Sequence, residues 1–335
     1  MSNSQLLDVL TREGVLINAT VRYWRAAKKL KPEDLGLRAD DVTDRLISLG
    51  HKKLLPREAL ARFALIESRV HALVDAGTYP FLNGLGHYLP NAKLDEVTTK
   101  LRQMETAFAA AQEEFLRQYS GLRMSAIHEW EDTARKLVED PDRLVATIEA
   151  SFPPPDQLKR HFAFDVQLFQ ITAPERMQMD LIAVGDQREI AQARSRAAQE
   201  ATVKIQQDVE QFAVDAVATL REETAKLCEE MLQSMDEGKT GIHQKTLNRL
   251  VEFIDSFKQM NVFNDQELES RLHEVREKFL QRTAEEYRDD AFARQQLQQG
   301  LRRLGDKAKE LAAQDAKEIV QRFGQMGVRK FHMAA

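Results

Sequence analysis

One segment of the chain sets cations beside aromatic rings. Arg22, Arg25, Lys28, Lys29 and Lys31 crowd around Tyr23 and Trp24, and His51-Lys52-Lys53 follows. Cationic side chains neutralise phosphates and flat rings stack on bases, so this pairing is the chemistry of a single-stranded nucleic-acid groove. Acidic residues answer it at Glu33, Asp34, Asp40, Asp41 and Asp44. That balance favours a solvated rim or a contact with an acidic protein. The candidate interaction residues are therefore Arg22, Tyr23, Trp24, Arg25, Lys28, Lys29, Lys31, Lys52 and Lys53.

Other chemistry is sparse. No GxxxxGK[ST] is present, so a Walker-type phosphate loop is not expected. Gly84-Leu85-Gly86 lacks the third glycine of a dinucleotide fingerprint. The same stretch holds Tyr79, Phe81, His87 and Tyr88, which could form a recognition surface but read better as the lid of a core. None of the eight histidines lies four residues from another, so no helical metal pair is visible. His128 and Asp132 share a helix face, as do Glu131 and Arg135, in the manner of ordinary surface pairs. Cys228 is the single cysteine; it excludes an internal disulfide framework and reads as a small packed residue. No catalytic residue, metal or cofactor is assigned, and the chain is expected not to be an enzyme.

Positioning these residues requires elements, and composition bounds their class. At 335 residues there is room for two domains. With 30% charged and 7% aromatic residues, the chain reads as helix-rich and soluble. A net charge of −5 and a pI near 6.0 argue against a chain-wide nucleic-acid footprint. The polar start lacks a signal-peptide core, and no run approaches the ~18 apolar residues of a membrane span. The cytoplasm is the expected location.

All nine prolines lie at or before Pro174. Proline removes a backbone donor, so the chain beyond it is free to run as uninterrupted helix. The expected division is a compact mixed head over 1–172 and a long helical, coiled-coil-like domain over 173–335. Within the head, residues 15–24 and 162–171 alternate with period two and predict strands that pair with each other. A helix competes for 15–30. Helices are expected from Pro56 to about Ala76, over 93–137 and over 141–150. The Gly/Pro/Asn-rich stretch 77–91 reads as a loop, and Pro153-Pro154-Pro155 as an extended connector.

The second half opens with capping-box spacing, Thr172 to Glu175. Apolar positions recur eleven apart at Ile205, Ala216 and Leu227 and at Val209, Leu220 and Met231. That period favours a straight or slightly right-handed seam. A helix over 175–235 would be roughly 90 Å long. Glycines in 236–241 end it, a shorter helix follows over 243–260, and Asn264 with Glu267 predicts the cap of a last helix to about Phe323. Gly300 and Gly305 predict a bend there. The fold class is mainly α: a mixed head with a small two-stranded antiparallel sheet, then a long antiparallel helical hairpin.

Four stretches carry a resemblance: VRYWRAAKKLKPEDLGL (21–37), LGHKKLLP (49–56), FLNGLGHYLP (81–90) and FAFDVQLFQIT (162–172). In this order they resemble a bacterial and phage family of unknown function. Genes of that family tend to lie beside a MoxR- or cobaltochelatase-like AAA+ ATPase and a von Willebrand factor A (VWA) domain protein, often on phages or conjugative elements. The resemblance implies a non-enzymatic third component, an adaptor or scaffold in a mobile-element or defence module, and it implies no catalytic residues. Long apolar stripes also suit a homo-oligomer. The alternative is a nucleic-acid-binding protein that uses residues 22–31, with helices for dimerisation.

Overall fold

The computed structural model describes residues 4–38, 49–81, 84, 86–170, 188–237, 242–314 and 319–320. The chain is mainly helical with a small antiparallel sheet. The expected 172/173 boundary, its Thr172–Glu175 cap, and Asp40, Asp41 and Asp44 lie outside the described residues. By Cα proximity two compact units form, each woven from separate stretches. The first takes the chain up to Ile17, Gly77–Asp95 and the part from Leu168 on; the second takes Asn18–Ala76 and Glu96–Gln167.

Helix α1 (Ser4–Glu13) leads into β1 (Gly14–Arg22). Period-two alternation does become a strand here, burying Leu16, Ile17 and Val21. The second alternating stretch is β6 (Ala163–Phe169), hydrogen-bonded to β1 as its neighbour. The sheet is larger than two strands, because β4 (Tyr79–Phe81) and β5 (Gly86–Pro90) complete the order β4-β5-β1-β6. The stretch read as a loop is thus an antiparallel hairpin, with Tyr79 opposite Tyr88 and Phe81 opposite Gly86. Strand β5 pairs onward with β1, from Gly14 opposite Pro90 to Ile17 opposite His87. Pro80 is compatible with pairing because β4 lies at the sheet edge, where one row of backbone donors goes unused.

In the first unit the aromatic residues of that hairpin serve the core, as the lid reading expected. Tyr79, Phe81 and Tyr88 all meet Phe212, with ring centroids 6.3, 4.8 and 5.4 Å apart. The buried hydroxyls are answered by backbone: Tyr79 donates to the Met260 carbonyl at 2.7 Å, Tyr88 to that of Leu10 at 3.0 Å. Phe212 belongs to α6 (Arg188–Glu237), followed by α7 (Gln244–Met260) and α8 (Gln266–Phe279). The last long helix is not continuous, since α9 (Ala284–Asp289) and α10 (Ala291–Ala313) follow as separate pieces. Thr283 and Glu286 form a capping box that starts α9, and Asp290 caps α10 through the Ala293 amide. Two side chains that satisfy orphan helix N–H groups restart the helix where apolar spacing alone runs straight through. The cap of α8 is Asp265, one residue beyond the expected Asn264, which instead takes a left-handed φ of 58°.

Helix α10 packs antiparallel along part of α6: Gly305 faces Cys228, and the Leu311 carbonyl is reached by Arg221. The two glycines of α10 permit close approach. A Cβ on Gly300 would lie 2.5 Å from the Phe279 ring, and one on Gly305 would lie 3.0 Å from Cys228 Cβ. Cys228 is buried, and burial pushes its thiol up to about 12. The neutral thiol therefore favours the fold below its unfolded pKa, and that contribution fades as pH climbs toward the folded value. In the native protein at pH 8, Cys228 is expected to react with a disulfide reagent at least about a hundredfold more slowly than in urea. Equal rates would show that the α6–α10 seam opens freely.

The second unit holds β2 (Ala27–Lys29), β3 (His51–Lys53) and helices α2 (Ala61–Gly77), α3 (Asn91–Leu137, from Glu96), α4 (Pro141–Ala150) and α5 (Pro155–Leu158). The expected helices over 93–137 and 141–150 form at those places. Only the last proline of the expected connector is helical, at the first position of α5, where its missing N–H costs nothing. Phe63 on α2 meets Phe108 and Phe115 on α3 and Phe162 beside β6, all with centroids within 6 Å.

Candidate functional site

The basic-aromatic segment lies in the second unit, and its members divide into two populations. Both rings face inward. Tyr23 is 7% exposed and stacks on Phe63 with centroids 5.5 Å apart. Trp24 is 8% exposed and packs among Tyr119, Phe152 and Phe115 at 5.8, 6.0 and 6.5 Å. Successive side chains of an extended backbone point opposite ways. Here both are covered because the chain leaves β1 and turns at Ala26, in a left-handed φ of 47°. That conformation costs an L-residue roughly 1–2 kcal/mol. The Ala26 carbonyl is then held by the Leu54 amide at 2.7 Å. A ring buried on both faces offers no platform for a base.

Two of the cations are also occupied. The Arg25 guanidinium forks onto Glu67, with Nη1–Oε2 2.8 Å and Nη2–Oε1 2.5 Å, and lies 4.0 Å over the Tyr23 ring. The Tyr23 hydroxyl donates to the same carboxylate at 3.4 Å. Arg25 hydrogen bonds hold the Glu67 carboxyl below its usual range, while burial raises the Tyr23 phenol. Arg25 is 55% exposed, so the pair is worth at most about 1 kcal/mol. Lys52 is different. Its ammonium meets Asp34 at 2.8 Å, with side chains 5% and 6% exposed. Asp34 also accepts from the Lys31 amide, which closes the short turn over Pro32–Leu35.

The remaining cations stay outward. β2 and β3 form a short antiparallel ribbon with Lys28 opposite Lys52 and Ala27 opposite Lys53. Lys52 is buried, whereas Lys28, Lys29 and Lys53 are exposed, as are Lys31 and Arg22. Trp130 of α3 donates its Nε1 to the Lys53 carbonyl at 2.9 Å, fixing the ribbon. Beside it, a groove of roughly 390 Å³ is lined by Glu33, Asp34, Glu139 and Asp140, with Arg143 as its one cation. Carboxylates from two separated stretches therefore share this side of the unit, and they oppose phosphate.

Sequence reading missed Glu67, the residue that ties Tyr23 to Arg25. Its only signal is its place one helical turn after Phe63 on α2, which is visible once Phe63 is known to meet Tyr23. His128 is exposed and lies 3.3 Å from Glu131 rather than beside the expected Asp132, which is paired with Arg135. Among the described residues, no group of three or more His, Cys, Asp or Glu side chains is arranged to hold a metal. No helix among them is long and apolar enough to cross a membrane.

Neither the curated proteins nor the solved structures contain a match to this chain. A family model does match, over residues 11–288. That span takes in the candidate segment, the whole second unit and most of the first, so the chain belongs to the family described as "Protein of unknown function (DUF3150)".

Proposed function

We propose that the protein is a non-enzymatic adaptor in the cytoplasm, working with a MoxR-type AAA+ ATPase and a VWA-domain protein in a phage, mobile-element or defence module. One observation carries the reading. Helix α3 buries one side and exposes the other along 47 residues, and α6 runs for 50, both far longer than a small core needs. At 1.5 Å per residue these are rods of roughly 70 Å. The exposed side of α3 suits extended contact with another protein. Met124 and Leu137, 70% and 57% exposed on α3, are apolar points for such contact. The antiparallel run of α10 on α6 supports the long-hairpin arrangement and would give the adaptor a stiff arm.

Size exclusion with light scattering tests this, on the chain alone and mixed with the neighbouring ATPase and VWA protein, with and without ATP. A co-eluting complex of fixed stoichiometry is expected. Separate elution under every nucleotide condition, with nucleic acid co-purifying, would sink the reading.

The second reading, nucleic-acid binding, rests on the exposed lysines of the β2–β3 ribbon. Replacing Lys28, Lys29 and Lys31 with Ala would then weaken DNA binding and lower the salt slope by about one per lysine. The inward rings and the acidic groove beside the ribbon make this the weaker of the two.

A further inference from the structure

Helices α8 and α10 of the first unit enclose a groove of roughly 590 Å³. Its floor is apolar, made by Val275, Phe279 and Leu304, and the Phe279 ring packs against Gly300 in the space a side chain would take. Its walls are basic: Arg271 and Lys278 from α8, Arg303 and Lys307 from α10. The lining contains a single carboxylate, Glu274, shared between Arg271 at 3.3 Å and Lys278 at 2.6 Å. Lys307 is answered from outside the lining by Glu267 and Glu310, both at 3.0 Å. Arg303 is exposed and has no carboxylate partner among the described residues. With Glu267 and Glu310 counted, four cations meet three carboxylates, and Arg303 supplies the small positive excess of the groove, although the whole chain carries −5.

A second feature continues the same face. Phe292 is 69% exposed. Counting along α10, Gln296, Gln299 and Arg303 follow it at four, seven and eleven residues, which is one stripe of a helix. A phenylalanine this open, one turn before the groove-lining Gln296 on the same stripe, adds apolar surface beside the groove.

We propose that the α8–α10 groove is the docking site for an acidic amphipathic helix of a protein partner. The proposal rests on the adaptor reading and gives it a surface. The partner helix sets apolar residues on Phe279 and Phe292. It turns Asp or Glu toward Arg303, Lys278 and Arg271. Helix-in-groove recognition anchors apolar residues three, four and seven apart, and charge along the rim sets orientation and partner choice. Arg271 and Lys278 stand two turns apart, roughly 10 Å, a spacing that carboxylates seven apart on a helix reproduce. Nucleic acid fits less well, because Glu274 sits in the wall and the floor is hydrocarbon.

The test uses the full chain and a fluorescein-labelled helical peptide of about 18 residues, Leu on one stripe and Glu on its flanks. A control peptide carries Gln for Glu. Saturable anisotropy is expected for the Glu peptide, with about tenfold weaker binding for the Gln peptide. The Lys278→Glu/Arg303→Glu chain should bind the Glu peptide about tenfold more weakly, and Phe292→Ala should also weaken it. Helical circular dichroism of each variant should match the parent, since all three positions are exposed. Equal affinity for the two peptides, unchanged binding by the variants, or preferential displacement by short duplex DNA would overturn the proposal. Self-association of the chain alone that disappears in the charge-reversed variant would also overturn it, because the occupant would be a second copy. An ATPase–VWA complex that survives charge reversal removes the groove and leaves the adaptor reading standing. Peptide binding to this face without any such complex does the opposite.

Discussion

Arg221→Met is expected to destabilise the first unit by about 3–5 kcal/mol, the cost of leaving a buried charge without its partner. Arg221 projects from α6 with its side chain 4% exposed and donates its Nε to Asp265 at 2.7 Å; Asp265 is 3% exposed. The same guanidinium donates Nη1 to the Leu311 carbonyl at 2.6 Å. Asp265 meanwhile caps α8 through the Leu268 amide, and its own amide donates to Asn261. One side chain of α6 thus satisfies the start of α8 and the end of α10, both otherwise short of hydrogen-bond partners. The double variant Arg221→Met/Asp265→Asn removes both charges and keeps a capping side chain. It should lose less than the sum of the two single losses, because the partners are coupled. Urea unfolding followed by circular dichroism measures all three. A single Arg221→Met loss below about 1 kcal/mol would mean water reaches this pair and the two helix ends are held by something else.

The second large effect separates lysines that look alike in sequence. Lys52→Met should cost the second unit about 3–5 kcal/mol, because it strands Asp34 at 6% exposure with only the Lys31 amide to answer it. Lys28→Ala and Lys31→Ala, at exposed positions, should each lie within about 0.5 kcal/mol of the parent. The contrast matters for any binding assay. Lost binding in a Lys52 variant would report a damaged fold, whereas lost binding in the Lys28 or Lys31 variants with intact unfolding midpoints would report a contact. Should Lys52→Met unfold at the parent's urea concentration, the β2–β3 ribbon would have to be regarded as open to solvent, and all its lysines would return to the candidate surface.

Local periodicity was readable wherever a single element controlled it. The strand alternation at 15–24 and 162–171, the stripe on α2 and the bounds of α4 all come from spacing that burial enforces directly. The hairpin 79–90 was not readable, because three- and five-residue strands are too short to show a period and Pro80 and Pro90 speak for a loop. The breaks at 280–283 and 290 were encoded in Thr283-x-x-Glu286 and Asp290, but an apolar stripe continuing across them masked the caps. Gly300 and Gly305 signalled something real in the sequence; the close helix contact they permit became evident only with Phe279 and Cys228 beside them. The candidate segment failed for a related reason. Whether Lys52 or Lys53 faces inward depends on a partner carboxylate 18 residues away, and nothing in local spacing reports that.

The interleaved path of the chain has a consequence for how the protein is made. Leu7, Leu10, Tyr79 and Phe81 are made early, yet they pack with α6 and the helices after it, made last. At synthesis speeds of about 5–20 residues per second, the wait between β5 and the end of α10 is roughly 11–45 s. Throughout that interval the nascent polypeptide carries an apolar patch whose permanent cover has not yet left the ribosome. Efficient production therefore depends on something holding the emerging chain soluble, and slowing translation within 188–313 should raise its aggregation more than slowing it within 96–167.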